Sequence, residues 1–307
     1  MRDTFARELT VLAASDPRIM ILSGDIGNHM FDDFKEQFPE RFINCGVAEG
    51  NMISVAAGLA LSGFRPIVYT FAAFDVTRCY EQIRIDLCFQ NLPVIIIGLG
   101  GGLTYSQLGP THYICEDLAI LRCLPHMNII CPADPIEVVL ALQASLEVNN
   151  PVYIRINKKN EPCIECISKD FTIGKARVVR TGSDVCLITT GVINSEVLKA
   201  SKLLELRGIS AEVIHFHTIK PLDEEMMHQI CHRFTEIVTI EEHSTIGGLG
   251  GMLAEWIVDN QISGVQMLRL GTRDEFIIPS YNQQEARTFF GLSAEQMIDK
   301  VCGFTRV

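Results

Sequence analysis

Ile43-Asn44-Cys45-Gly46-Val47-Ala48-Glu49 runs from a short apolar strand through a glycine to a single acid, and a helical pattern of small and apolar residues follows at once (Met52, Val55, Ala56, Leu59, Ala60). The acid therefore sits where a strand ends and a helix begins, the usual place for a ligand contact in an open α/β sheet. Its neighbours are apolar or small, so poor solvation is expected to raise its proton affinity. A second reading makes Glu49 an ordinary first-turn acid facing the helix dipole. The flanking segments bear on the choice.

Before this stretch, residues 1–14 read as an amphipathic helix with Phe5, Leu9 and Leu12 on one side, and Ile19-Met20-Ile21-Leu22 reads as a buried strand ending in Ser23-Gly24-Asp25. A short helix near 31–38 leads into the strand 42–45. After it come a strand at 66–69, a helix over 72–90, a strand at 93–97 and a glycine-rich loop from Gly98 to Gly109. A strand at 127–131, a helix at 135–147 and a strand at 152–156 continue the series. Continuous apolar strands alternating with helices imply a parallel sheet covered on both faces. The periodicity fails from Asn157 to Asp170, where lysines, prolines and acids accumulate as in a linker. A second series follows, with strands at 184–190, 211–215, 236–241 and 265–270, helices at 194–207, 223–232 and 248–259, and two closing helices. The expected fold is α/β, with two doubly wound parallel-sheet domains at 1–162 and 163–307.

Composition narrows the function classes. The 307 residues are 48% apolar and 21% charged, ordinary values for a globular chain. A net charge of −11 argues against a nucleic-acid or anionic-membrane partner. The first residues, Met-Arg-Asp-Thr-Phe-Ala-Arg, carry charges where a signal peptide needs an apolar core, and no apolar run reaches the roughly 18 residues of a spanning helix. The expectation is a cytoplasmic protein. Most of the eleven cysteines stand singly in apolar segments, which suits reduced, buried thiols. Cys163 and Cys166 form a CxxC with no second pair at zinc spacing, half of a tetrahedral site.

Several familiar signatures are missing. Gly98-Leu99-Gly100-Gly101-Gly102-Leu103 and Gly248-Leu249-Gly250-Gly251-Met252-Leu253 both lack the third glycine of GxGxxG, and no GxxxxGK[ST] loop occurs. Gly-x-Ser-x-Gly and His-Glu-x-x-His are absent as well. His215 and His217, alternating on a strand, are expected to be structural. His112 is different: in Leu108-Gly109-Pro110-Thr111-His112 it is held on a rigid turn, where an imidazole can transfer protons near neutral pH. Phe71 and Phe74, three residues apart at a strand end, can hold a flat ring or can be core.

Together these pieces resemble the transketolase family of thiamine diphosphate enzymes. The matching segments are Gly46-Val47-Ala48-Glu49-Gly50-Asn51-Met52, Thr70-Phe71-Ala72-Ala73-Phe74, Gly109-Pro110-Thr111-His112, Cys131-Pro132-Ala133-Asp134 and Glu241-Glu242-His243. The resemblance covers the family's pyrimidine-binding and C-terminal domains. The diphosphate-binding domain of the family carries Gly-Asp-Gly followed by Asn-Asn, holding a divalent metal. Here Gly24-Asp25-Ile26 is the only near match and no Asn-Asn follows at the right distance. The resemblance thus implies the second subunit of a split transketolase. An N-terminal partner subunit would supply the diphosphate domain and Mg2+ or another divalent metal, in an α₂β₂ assembly, and this chain would hold no metal.

By the same resemblance, Glu49 is the carboxylate that drives tautomerisation of the cofactor's aminopyrimidine, Phe71 and Phe74 pack on that ring, and Asp25 lies near the cofactor's middle. His112 is the substrate-facing histidine, and Arg2 and Arg155 fall where the family places arginines for a sugar phosphate. Three positions depart from the pattern. Leu108 replaces an aspartate that reads donor stereochemistry, Gly100 replaces a phosphate-binding histidine, and a serine of the phosphate site is replaced near Asn28-His29. Losing a hydrogen-bonding acid should change the donor preference, which points to a specialised sugar pathway. Other readings are the β subunit of a 2-oxo-acid dehydrogenase E1 component, a deoxyxylulose-phosphate-synthase-like enzyme, and a catalytically silent nucleotide-binding or scaffold protein. Gly-Pro-Thr-His and the Arg78-Tyr80-Glu81-Gln82-Ile83-Arg84 stretch favour transketolase over the enzyme alternatives, and Glu49 with His112 argues against a silent protein.

Overall fold

A computed structural model of the chain describes residues 1–27, 29–158, 161–164, 170–277 and 281–305. Its first half builds a sheet from β1 (Ile19–Ser23), β2 (Phe42–Asn44), β3 (Arg65–Phe71), β4 (Ile95–Leu99), β5 (Asn128–Ile130) and β6 (Val152–Ile156). The helices here are α1 (Arg2–Ser15), α2 (Asp32–Gln37), α3 (Glu49–Leu61), the single turn α4 (Tyr80–Gln82), α5 (Asp117–Arg122) and α6 (Pro135–Glu147). These six strands run parallel, in the order β5-β6-β4-β3-β1-β2. Their near-continuous burial, complete along β1, β4 and β6, explains why they read as unbroken apolar runs. One face packs under α3, through Met52, Ile53 and Ala56, and the other under α1 and α6, through Phe5, Leu9 and Leu142. Asp134 starts α6 by accepting a hydrogen bond from Glu137 N, with Pro135 at the first helical position, as an N-cap and proline pair should.

The second half contributes β7 (Arg177–Arg180), β8 (Val185–Thr189), β9 (Ala211–His215), β10 (Thr218–Lys220), β11 (Glu236–Ser244) and β12 (Gln266–Thr272). Its helices are α7 (Asn194–Glu205), α8 (Glu224–Arg233), α9 (Leu249–Asp259), α10 (Gln283–Phe290) and α11 (Ala294–Phe304). The second sheet has the order β12-β11-β8-β9-β7, parallel except for β7. The α/β architecture with two mostly parallel sheets is therefore as expected, with two amendments. Each sheet carries an antiparallel edge strand, and β10, which follows β9, crosses to pair with β5 of the first sheet. The halves also share apolar core, which runs from Val68 and Ile129 to Ile188, Phe216 and Trp256.

The expected helix over 72–90 is irregular. It winds as π-helix at Ala73–Thr77, tightens at α4, and widens again at Ile83–Phe89. Such π turns are commonest at functional sites, where one extra residue re-aims the side chains around it. No helix of the described residues is long and apolar enough to cross a membrane.

Candidate active site

The first sheet reverses strand order beside β1: the chain leaves β1 for β2 on one side and returns to β3 on the other. The crevice at the C-terminal ends of β1 and β3 is where open α/β sheets bind ligands. Ser23-Gly24-Asp25 leaves β1 there, Asn44 ends β2, Glu49 opens α3, and Thr70-Phe71 ends β3. Gly24 is required by closeness, because a Cβ at this position would lie 3.0 Å from Thr70 Oγ1 and 3.5 Å from Glu49 Cγ. Asp25 takes a left-handed backbone, φ 59°, and its side chain is held by Asn44 Nδ2 at 2.9 Å. Asn44 Oδ1 in turn accepts from Gly46 N at 2.9 Å, which ties the turn before α3 to the turn after β1.

Glu49 is buried, and its Oε2 accepts from Arg78 Nη1 at 2.7 Å. No protein group among the described residues hydrogen-bonds its other oxygen. The same guanidinium lies 4.8 Å from the centre of the Phe74 ring, a cation–π distance. Phe71 and Phe74 meet edge to face at 5.4 Å, and the His112 ring stands 5.2 Å from Phe71 and 5.3 Å from Phe74. Thr111 Oγ1 lies 2.9 Å from His112 Nδ1 and orients the imidazole. Glu49, Phe71, Phe74 and His112, which come from three separate segments, are thus linked by contacts around one rim. Thr70 Oγ1, buried beside Gly24, has no hydrogen-bond partner among the described residues. A carboxylate beside two aromatic rings can share a proton with a nitrogen of a flat heterocycle laid on them.

The other expected site residues fall differently. Leu108 is half exposed on the turn Ser106–Leu108, just before Gly109. Arg2 borders a cavity of about 310 Å³ with Arg7, His29 and Asp33, and it pairs with Asp3 at 3.5 Å. Burial raises the proton affinity of the Tyr105 hydroxyl, and the Arg2 charge opposes that rise. Tyr105 packs edge to face on Phe71 at 5.0 Å. It also explains Gly100, since a Cβ there would lie 2.1 Å from the Tyr105 ring. Arg155 lies deeper in the fold. Its guanidinium points into the protein, 3.0 Å from Asp117 Oδ2, and donates to the carbonyls of Ile114 and Glu242 at 3.2 and 3.0 Å. Burial would favour loss of its proton, but Asp117 together with the neighbouring Cys131, Tyr153 and Cys115 groups outweighs that and holds the charge in place. These contacts tie Arg155 to both halves of the chain.

Three contributors were not expected from sequence. Arg78 lies in the irregular helical stretch after Phe74, Thr70 precedes Phe71 in the motif, and Asp75 follows Phe74. Asp75 is fully buried with neither side-chain oxygen partnered among the described residues, and burial followed by the Asp117 and Glu49 charges pushes its pKa well above the carboxylate range. Nothing in the spacing of these residues announces a contact. His215, by contrast, is structural as expected: buried between the halves, its Nε2 lies 2.9 Å from Glu137. Cys163 is exposed, and Cys166 lies outside the described residues. Among the described residues no cluster of His, Cys, Asp or Glu is placed to hold a metal ion.

Residues 1–162 match the family described as "Transketolase, pyrimidine binding domain", and residues 174–297 match "Transketolase, C-terminal domain". The chain belongs to the transketolase family. It is 36% identical to a 6-deoxy-6-sulfo-D-fructose transketolase subunit of Clostridium sp. (strain MSTE9), over 97% of this chain and 92% of that one. It is 32% identical to an apulose-4-phosphate transketolase subunit of Phocaeicola vulgatus, over 99% and 97% of the two chains. Among solved structures it superposes on a "split gene transketolase, inactive beta4 tetramer" with a TM-score of 0.88 and 33% identity, covering 99% of this chain and 97% of that one.

Transketolase-family enzymes depend on thiamine diphosphate, which when bound supplies a stabilised carbanion for two-carbon transfer. The residues present suit the pyrimidine end of that cofactor: Phe71 and Phe74 offer ring surface, Glu49 offers a carboxylate oxygen without a protein partner among the described residues, and Thr70 offers an orphaned buried hydroxyl.

Proposed function

We propose that this chain is the pyrimidine-binding subunit of a two-subunit transketolase, moving a two-carbon ketol unit between sugar or sugar-phosphate substrates in a specialised pathway. The observation that carries this reading is the convergence of Glu49, Phe71, Phe74 and His112 in a chain matched end to end by split transketolase subunits. An N-terminal partner subunit supplies the diphosphate domain with Mg2+ or another divalent metal, and the two form an α₂β₂ assembly; the tetrameric structural neighbour supports self-association of this half. The free thiols support a cytoplasmic location. We place the domain boundary at 162/163, between the end of β6 and the start of β7.

In this reading Glu49 shares a proton with the pyrimidine ring nitrogen, and Phe71 and Phe74 hold the ring flat against it. Asp25, fixed by Asn44, lines the cofactor's middle, and His112 meets the donor next to its carbonyl. The distal anion of the substrate is drawn by Arg2, with Arg7 and His29 in the same cavity, since Arg155 is engaged elsewhere. Bidentate recognition suits an arginine facing a phosphate or a sulfonate. The names of the two relatives, one acting on a sulfo-sugar and one on a sugar phosphate, support an unusual substrate.

Titration with thiamine diphosphate and Mg2+ tests the split-site reading. Weak binding by the purified chain is expected, strengthening at least about a hundredfold, or about 2.7 kcal/mol, when the partner subunit is added. Binding tighter than about 1 μM by the chain alone would refute it. A second expectation concerns the donor. Leu108→Asp should shift the ratio of kcat/KM toward ordinary phosphoketoses by about tenfold or more, because a polar group built to read a hydroxyl discriminates strongly. An unchanged donor profile would remove Leu108 from specificity.

A further inference from the structure

We propose that the C-terminal half positions the substrate-facing loop, with Glu242 as the positioning residue. The segment from Gly100 to Gly109, which leads into the turn bearing His112, has little conformational preference of its own. Gly100, Gly102 and Gly109 all take left-handed backbone, with φ of 77°, 71° and 77°, so the sequence there permits many paths. Within the first half the segment is pinned at its ends, by Gly100 N to Ile156 O and by Gly102 N to Ile114 O, both at 2.7 Å. Between these ends its side chains meet the first half through ring contacts, Tyr105 on Phe71, His112 on Phe71 and Phe74, and Lys158 Nζ 5.4 Å from the Tyr105 ring. Ring packing excludes water but leaves rotation and sliding cheap.

The directional contacts come from the other half. Apart from two short-range bonds, Thr104 Oγ1 to Gly101 O at 3.3 Å and Tyr113 N to Gly109 O at 3.2 Å, the described hydrogen bonds that leave residues 103–112 end on the C-terminal half: Leu103 N donates to Glu242 Oε2 at 3.3 Å, Ser106 Oγ donates to Tyr281 O at 2.8 Å, and Gln283 Nε2 reaches Thr104 Oγ1 at 3.5 Å. Immediately beyond, Ile277 N donates to the Tyr113 hydroxyl at 2.9 Å. Glu242 is the hub. It is buried, receives Arg287 Nε on Oε1 and Gln283 Nε2 on both oxygens at 3.2 and 3.0 Å, and its carbonyl accepts from Arg155. A Cβ on Gly102 would lie 2.8 Å from Glu242 O, so loop and carboxylate-bearing strand are in direct backbone contact. β11, which carries Glu242, is held on both sides in the second sheet and is therefore a rigid platform for the glycine-rich loop. A low-entropy support of this kind fixes a site residue more precisely than a loop fixes itself.

The proposal rests on the transketolase reading only for what the loop does, not for how it is held. Amide hydrogen exchange of the purified chain tests the holding directly, comparing wild type with Glu242→Gln, which keeps volume but removes the charge that gathers Leu103 N, Gln283 and Arg287. Exchange across the loop segment is expected to accelerate about tenfold, the worth of one charge-assisted hydrogen bond, while the strands β1, β3 and β4 keep their protection. Unchanged loop exchange, or acceleration spread evenly over both sheets, would overturn the proposal. Gln283→Ala, which leaves the Glu242–Arg287 pair intact, should show a smaller effect in the same segment, and it replaces Glu242→Gln if that variant misfolds. In the assembled enzyme, donor KM should rise about tenfold with thiamine diphosphate affinity unchanged. A parallel loss of cofactor affinity would mark Glu242 as merely structural. Should wild type show no ketol transfer at all, the functional reading fails while the exchange result still stands.

Discussion

Glu49→Ala in the assembled enzyme is expected to lower turnover by about 10²–10⁴-fold at saturating cofactor, the range of a lost proton-transfer group, with the fold intact. The small stability effect follows from what the carboxylate leaves behind. Its one charged partner, Arg78, is half exposed and can turn its guanidinium to water, so no buried charge is stranded. Glu49→Gln sharpens the test, because the amide fills the same volume but has no proton to share. Equal losses in the two variants, with unchanged circular dichroism, would place the effect in chemistry. Turnover within tenfold of wild type in either would remove Glu49 from the mechanism.

Asp117→Asn is expected to destabilise the isolated chain by about 3–5 kcal/mol, because it leaves the buried Arg155 guanidinium without its counter-charge. Asp117 is fully buried and is reached by Arg155 Nε at 3.0 Å and by the Tyr153 hydroxyl at 2.7 Å. The remaining acceptors, the carbonyls of Ile114 and Glu242, carry no full charge. His243 adds no second buried cation: burial holds its pKa down at about 4, so at neutral pH it is an uncharged imidazole accepting from Ala119 N. Replacing both partners, as Asp117→Leu with Arg155→Met, should recover much of the loss, since the desolvation penalty disappears with the charges. Denaturant midpoints of the two variants check this. A single variant within about 1 kcal/mol of wild type would mean that Asp117 is not what keeps Arg155 inside.

Both predictions turn on side chains whose partners lie far away in sequence, and this marks how much could be read beforehand. The strands of both sheets were legible because burial on two faces leaves unbroken apolar runs. The positions of Glu49 and Phe71 next to strand ends followed from those runs, while His112 sits on a turn well beyond the end of β4. Period two also puts Tyr153 and Arg155 on one face of β6, and the structure brings both to Asp117. That this face turns inward, and that an acid from α5 waits there, is a matter of packing. Resemblance alone implied a substrate role for Arg155; its contacts with Asp117 and the Glu242 carbonyl could be known only from the fold.

The sequence by itself determined the α/β class, the family, and which carboxylate, rings and histidine stand at the rim, since each is written in local pattern or motif. Only the tertiary structure decided that Arg78 holds Glu49, that β10 closes the first sheet, and that Glu242 grips the loop before His112. The reason is physical: local patterns report burial and backbone geometry, whereas partners are chosen when distant segments are pressed together and each buried polar group must find an opposite. Glu49 opened as an acid at a helix start; folding gives it a cation on one oxygen and leaves the other without a protein partner among the described residues.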